Sequence, residues 1–485
     1  MSSISNGSKE KQLNFLMLTG MIVGSTIGAG VFSLAGDMAS EGANTAAVLV
    51  GWLICGIGMF GLMMSFFGLN KRKPELTNGI YSYAREGFGE FVGFNSAWGY
   101  WISALLCNVS YTTLLFQAIG YFFPVFGAGN NLVSIICASV VIWTLNYLVL
   151  YGVKEAAAVN IITTASKLLP IFVFIIAVIF VGKFKLSIFM DNFWGEAGGL
   201  AFGDQVKATT GATVWAFIGI EGAVVLSGRA KKSKDVGKAS IIGFLCIFLI
   251  YLMTSILSMG VMTRAELAEL GNPQMAGILE FVVGKWGAVL INLGVILSLA
   301  GALLSWTIIA ADCPYSAAKQ GVFSKIFAKE NKKGSPSFAL FATNGIIQLF
   351  IIIIFFQEST YQAFYTMSAS MIMVPYLLSA LYYAKITFKK ESFELAKPGE
   401  LLGQRIIGVL GSVYGLWLIY AGGLKYLLIT AILYAPGILI YIKGKKEKNE
   451  KLFNNKIDII IACAIVALAI ISVVCIATGA LGEIF

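Results

Sequence analysis

The chain has 485 residues, of which 58% are hydrophobic and 12% charged, with a mean hydropathy of +0.82. An average soluble domain carries roughly a quarter charged residues, so a soluble globule is excluded and an integral membrane protein is expected. The 35 Lys and Arg against 25 Asp and Glu leave a net charge of +10, and the absence of histidine excludes His-ligated metals, His-based triads and histidine proton relays.

A spanning helix needs about 20 mostly apolar residues. In chain order such stretches fall at 13–35, 44–70, 92–123, 131–151, 156–181, 206–228, 238–262, 283–311, 337–356, 361–384, 402–422, 424–442 and 457–478. That makes thirteen segments, none with the alternation of barrel strands. The connections are too short for a soluble domain. The expected organisation is an N-terminal tail at 1–12, a core at 13–384 and a final trio of helices at 385–485. The first segment is too long and too glycine-broken for a cleaved signal, and is read as retained.

That segment contains Gly24-Ser25-Thr26-Ile27-Gly28-Ala29-Gly30-Val31-Phe32. Each of its glycines weakens a helix by roughly 1 kcal/mol relative to Ala, and glycine lets backbone approach a ligand closely. Tight helix packing through small residues is the alternative. The sixth segment carries Trp215-Ala216-Phe217-Ile218-Gly219-Ile220-Glu221-Gly222, a carboxylate in an apolar run. If 13–181 and 206–384 are inverted repeats, the two interruptions occupy the first helix of each repeat, the sequence pointer to a transporter site at the bilayer midplane. Free NH groups at one half-helix end favour an anion and free carbonyls at another favour a cation, which together suit a zwitterionic amino acid.

The basic residues set the orientation. With the N-terminus in the cytoplasm, 28 of the 35 lie on that side, 6 lie opposite, and Lys167 falls inside a segment. The charge is therefore topological, nucleic acid is an unnecessary explanation, and a thirteenth helix puts the C-terminus outside. The seven cysteines (Cys55, Cys107, Cys137, Cys246, Cys313, Cys463 and Cys475) are scattered mostly through apolar runs and read as buried small hydrophobes, with no metal or disulfide spacing. No cofactor is expected.

The chain resembles the amino acid–polyamine–organocation superfamily, in its basic amino acid/polyamine antiporter branch. The resemblance rests on Gly28 to Phe32, Asn78-Gly79-Ile80-Tyr81-Ser82-Tyr83-Ala84, Trp215 to Glu221 and Leu304-Ser305-Trp306-Thr307. The run Gly93-Phe94-Asn95-Ser96-Ala97-Trp98-Gly99-Tyr100-Trp101-Ile102-Ser103, followed by Asn108, looks most like the arginine/ornithine antiporters. The resemblance implies an all-α LeuT-type fold of five-plus-five inverted repeats with broken helices one and six. It implies that Thr26, Ala29 and Gly30 line the break receiving the substrate carboxylate, and that Ala216, Phe217 and Ile218 offer carbonyls to its ammonium. Trp215 and Trp306 match aromatics that enclose a basic side chain, against an interfacial-belt alternative. Asn108 matches a substrate-bonding asparagine, against an interhelical hydrogen bond. Tyr111, one turn on, stands where the arginine/agmatine antiporters have a Met, and Ser368 is a further candidate.

Ionisable residues deep in the segments are functional candidates by default. Glu221 resembles the family's gate carboxylate, with Tyr100 matching a tyrosine beside it; a purely structural carboxylate is the alternative. Lys167 matches a lysine whose ammonium stands where sodium-coupled relatives hold sodium, against simple snorkelling to water. Asp312 is either a packing or a gating group. The function expected is a sodium-independent exchanger of basic amino acids, arginine for ornithine or a similar pair. A proton-coupled symporter and a non-transporting amino-acid sensor are the alternatives. The partners expected are small amino acids or amines and the lipid bilayer, and a homodimer is entertained.

Overall fold

The computed structural model describes residues 15–76, 80–152, 157–221, 233–357, 361–394 and 397–480. The tail at 1–12 with Lys9 and Lys11, the motif residues Asn78 and Gly79, Lys154, Gly222 and the basic residues Arg229, Lys231 and Lys232 lie outside these ranges. Helices make up the architecture, with no strand among the described residues. They are α1 (Phe15–Thr26), α2 (Leu34–Ser40), α3 (Thr45–Arg72), α4 (Ile80–Phe88), α5 (Glu90–Gly120), α6 (Leu132–Leu150) and α7 (Ala157–Val181). Then come α8 (Leu186–Phe189), α9 (Phe202–Ala208), α10 (Thr210–Phe217), α11 (Ser233–Val261), α12 (Arg264–Glu269) and α13 (Gln274–Val283). The last are α14 (Lys285–Lys319), α15 (Ser337–Gln357), α16 (Tyr361–Lys389), α17 (Pro398–Lys446) and α18 (Lys456–Ala477).

Ten described helices are long and apolar enough to cross a membrane, against thirteen segments read from the sequence. The difference has two physical sources. Segments one and six are interrupted, so α1, α2 and α10 are each shorter than a span. Segments eleven and twelve run together as the 49-residue α17, whose backbone leaves helical geometry at Gly423 (φ 76°, ψ 167°). At 1.5 Å per residue such a helix is more than twice the thickness of a hydrocarbon core, which is about 30 Å. Both its ends meet the same connection: Glu400 pairs with Arg72 at 2.7 Å, and Lys445 with Glu90. A chain that returns to its starting face is a hairpin, turned at Gly423 in a backbone region that disfavours a side chain.

The packing of the first ten segments has an internal symmetry. Segment one packs on seven (α1 on α11) and six on two (α10 on α3). Three packs on ten (α5 on α16) and eight on five (α14 on α7). Three with eight (α5 on α14) and four with nine (α6 on α15) are their own counterparts. Even the short connecting helices obey the exchange, since α4 packs on α5 and α16 while α13 packs on α14 and α7. Each of these contacts maps to another when five is added to or taken from the segment number, as two repeats related by a two-fold axis require.

Contacts also sort the connections onto two faces. On one, Arg85 reaches the Gln320 carbonyl, Arg72 the Ser392 carbonyl, Lys448 the Gly321 carbonyl and Asn331 the Leu150 carbonyl. On the other, the Ala46 amide donates to Phe193, Gln205 accepts from Asn44, and Arg264 meets Glu196. The first is the lysine- and arginine-rich face.

Candidate substrate site

Helix α1 ends at Thr26, and Gly28 is extended (φ −91°, ψ −172°) before a 3-10 turn over Ala29–Phe32 leads into α2. Helix α10 ends at Phe217; Ile218 is extended (φ −59°, ψ 128°) and Gly219 takes φ 101°, a conformation glycine alone adopts freely. Each break ends one helix and leaves backbone groups without intrahelical partners. The breaks lie against each other. The Tyr251 hydroxyl of α11 is 3.3 Å from the Thr26 carbonyl and 2.8 Å from the Ala216 carbonyl, bridging both interruptions. Lys167 of α7 donates to the Gly24 carbonyl at 2.5 Å. Its ammonium therefore sits at the C-terminal end of α1, where the helix dipole favours a cation.

An aromatic cluster covers the first break. A Cβ on Gly30 would lie 2.5 Å from Nε1 of Trp215, so the indole fits only because that position has no side chain. Tyr111 meets Trp215 edge-on and Tyr365 stacks on it, both with centroids 5.5 Å away, and Tyr361 continues the cluster at 5.1 Å from Tyr365. The Tyr111 hydroxyl approaches Gly28 so closely that a Cβ there would be 3.0 Å away. The Thr26 hydroxyl, at the end of α1, and the Asn108 side-chain carbonyl, one turn before Tyr111 on α5, are buried without a hydrogen-bond partner; the Asn108 amide bonds its own helix, at Ala104. Ala29 is fully buried at the same break.

Glu221 lies just beyond the second break. Tyr100 donates to one carboxylate oxygen at 3.0 Å, Tyr376 to the other at 2.6 Å, and the Gly219 amide also donates to the latter at 3.2 Å. The carboxylate thereby joins segments three, six and ten. Of the sixth-segment trio, Ala216 offers its carbonyl to Tyr251, Phe217 offers its own to the Ile220 amide, and the Ile218 amide turns back to Trp215.

The other expected residues sit apart from this centre. The Ser368 hydroxyl is engaged with the Ser103 carbonyl and hydroxyl and lies 3.1 Å from the Cys107 sulfur, in a close contact of α5 and α16. Trp306 is half-buried on α14 and, among the described residues, shares no ring contact with the Trp215 cluster. Asp312 is exposed and accepts from Ser316 one turn along its own helix. Sequence reasoning did not single out Tyr251, Tyr361, Tyr365, Tyr376 or Asp37. Tyrosines scattered through apolar helices carry no local signature, and Asp37 lies two residues past the first segment as drawn, where a carboxylate reads as loop.

Two broken helices pinned face to face inside an all-helical, multi-pass membrane bundle define a carrier of small molecules. The chain belongs to the amino acid permease family, whose profile matches residues 13–440. It is 45% identical to an arginine/ornithine antiporter of Pseudomonas aeruginosa over 94% of this chain and 95% of that one. An arginine/agmatine antiporter of Chlamydia abortus is 42% identical over 97% of this chain and 98% of its own. An amino-acid transporter of Clostridium perfringens, itself named as putative, is 41% identical over 96% and 98%.

Proposed function

We propose that this protein exchanges basic amino acids across the membrane, arginine for ornithine or a related pair, without sodium. The observation that carries the reading is the pairing of the two breaks through Tyr251, with Trp215 and Tyr111 closing over them. The substrate carboxylate takes the free NH groups around Thr26, Ala29 and Gly30. The α-ammonium takes sixth-segment carbonyls at Ala216 to Ile218, and Asn108 supplies the acceptor it holds unfilled. Trp215, with Trp306 joining as the bundle rocks, faces the cationic side chain, a contact between a guanidinium and an indole worth about 2 kcal/mol when desolvated. Ser368 contributes by keeping α5 and α16 close. Lys167 holds the first break in place of a metal cation, and Glu221 with Tyr100 and Tyr376 latches the repeats on the basic face. Asp312 lines the approach from that face. The names of the Pseudomonas and Chlamydia relatives supply the substrate class.

The proposal includes a cytoplasmic basic face, and hence a cytoplasmic N-terminus and, with thirteen crossings, an external C-terminus. The repeats span 13–181 and 206–384, with the helices beyond 384 braced against them. A homodimer fits the proposal because each chain holds a complete site. Proton-coupled symport is the second reading, favoured by the partly buried Glu221, which pairs with tyrosines and no described cation.

The test of substrate class is a counterflow panel in proteoliposomes. Arginine, ornithine and lysine are expected to drive labelled arginine exchange well above leucine or alanine at equal concentration. Equal rates for cationic and neutral amino acids would remove the basic-substrate reading.

A further inference from the structure

Outside the centre just described, the buried carboxylate of Asp37 has no assigned role. Asp37 lies in α2, the second half of the broken first segment, and its side chain is withdrawn from solvent at 1% exposure. Its Oδ1 accepts two amides, from Gln362 at the start of α16 at 2.7 Å and from Gln274 at the start of α13 at 3.3 Å. Gln362 also donates to Ser40. No described lysine or arginine forms an ion pair with Asp37, although Arg264 comes to the end of the same helix, where it bonds the Ala39 carbonyl. Tyr361 and Tyr365 lie near the carboxylate, and Tyr365 stacks on Trp215. It thus stands one aromatic layer away from the first break, on the face opposite the basic connections.

A desolvated carboxylate held by neutral amides and a tyrosine hydroxyl remains short of countercharge, because such a group is normally paired with a cation when buried. The amides are replaceable. The carbonyl oxygen of Gln274 is itself buried without a partner, so that side chain is not locked into a network. Ser33, which with Gln274 lines a small pocket between α2, α11 and α13, also has a hydroxyl without a partner. Three elements, α2, α13 and α16, meet at this carboxylate.

We propose that Asp37 is a specificity-determining residue: on opening of this face it exchanges the Gln274 and Gln362 amides for the cationic side chain of the incoming substrate, guanidinium or ammonium. The proposal rests on the basic-substrate reading above. In the closed state shown, the two glutamines stand in for that cation. A neutral amino acid of the same length brings no charge to displace them, so the carboxylate discriminates by sign before the substrate reaches Trp215.

The test is competition against labelled arginine in proteoliposomes holding the full-length protein, with arginine, ornithine and citrulline, the uncharged isostere of arginine. Asp37→Asn retains the acceptor oxygen for both glutamines, so its fold is expected to persist, checked by thermal unfolding in detergent. The inhibition constants of arginine and ornithine are expected to rise about tenfold or more, the scale of a lost charge-assisted contact, while that of citrulline holds. Gln274→Ala, which removes a competing amide, is expected to lower the arginine constant and leave citrulline unchanged. Unchanged arginine binding in Asp37→Asn, or loss of arginine and citrulline in equal proportion in both variants, overturns the proposal. Wild-type protein that does not prefer arginine to citrulline contradicts the basic-substrate reading instead, so the two failures are distinct.

Discussion

Tyr251 places one hydroxyl between the Thr26 and Ala216 carbonyls, while its ring packs on Trp52 (5.9 Å) and Phe217 (5.3 Å). Replacing it by Phe keeps the rings and deletes the bridge, leaving two buried carbonyls with one donor fewer. A net loss of about 1–3 kcal/mol is expected for leaving a buried acceptor unfilled. Tyr251→Phe should lower the unfolding temperature in detergent and slow exchange, with arginine affinity weakened because both breaks lose their registration. Unaltered unfolding and transport would show that the breaks are held by other contacts. At this scale the sequence was legible where a residue type is improbable in its surroundings. Glu221 and Lys167 stand out because charges in apolar segments are rare, and the structure gives each specific partners. Tyr251 and Tyr376 do not stand out, since a tyrosine in a membrane helix is ordinary until its hydroxyl is seen to meet a carbonyl or a carboxylate.

Among the elements, the two interrupted helices were readable from glycines in the first segment together with the Glu221-bearing sixth segment at the matching position, and Gly28, Gly30 and Gly219 each have a structural reason. Gly30 admits Trp215, Gly28 admits the Tyr111 hydroxyl, and Gly219 carries the positive φ. The short helix α2 was not readable, because seven residues following a break show too little periodicity to separate helix from loop. Its far end is tied by Arg264, which bonds Ala39 and pairs with both oxygens of Glu196 at 3.0 Å. The hydrogen bond from Arg264 holds the Glu196 carboxyl below its ordinary value of 4.5. A lowered folded-state value means the stabilisation is present above the unfolded value and lost as pH falls through the folded one. The pair is partly exposed (26% and 37%), so solvent screening keeps it below about 1 kcal/mol. Thermal unfolding measured from pH 6 down to pH 3 should fall more steeply in wild type than in Arg264→Gln below about pH 4.5. Parallel curves would mean that the pair does not brace α2.

Over the whole molecule, two sequence-level arguments meet independent structural ones. Lysine and arginine concentrate in alternate connections, and hydrogen bonds among 71–89, 319–333, 385–405 and 443–450 gather that basic set on a single face. Placing the breaks at corresponding positions of two repeats is matched by packing that is preserved when segments one to five and six to ten exchange roles. What hydropathy did not deliver was the number of uninterrupted spans, since an apolar window is blind to a two-residue break and to a hairpin turning on Gly423 alone. In the mechanism proposed, access alternates as the repeats pivot about the breaks, with the Glu221–tyrosine contacts released on one face and the Asp37–glutamine contacts on the other. If movement of the repeats requires an occupied site, transport is obligatory exchange. The most direct measurement is labelled arginine uptake into sodium-free proteoliposomes without a pH gradient, loaded with ornithine or left empty. Uptake is predicted to be fast and saturable only in the loaded vesicles, while equal uptake into empty ones would contradict the exchange mechanism.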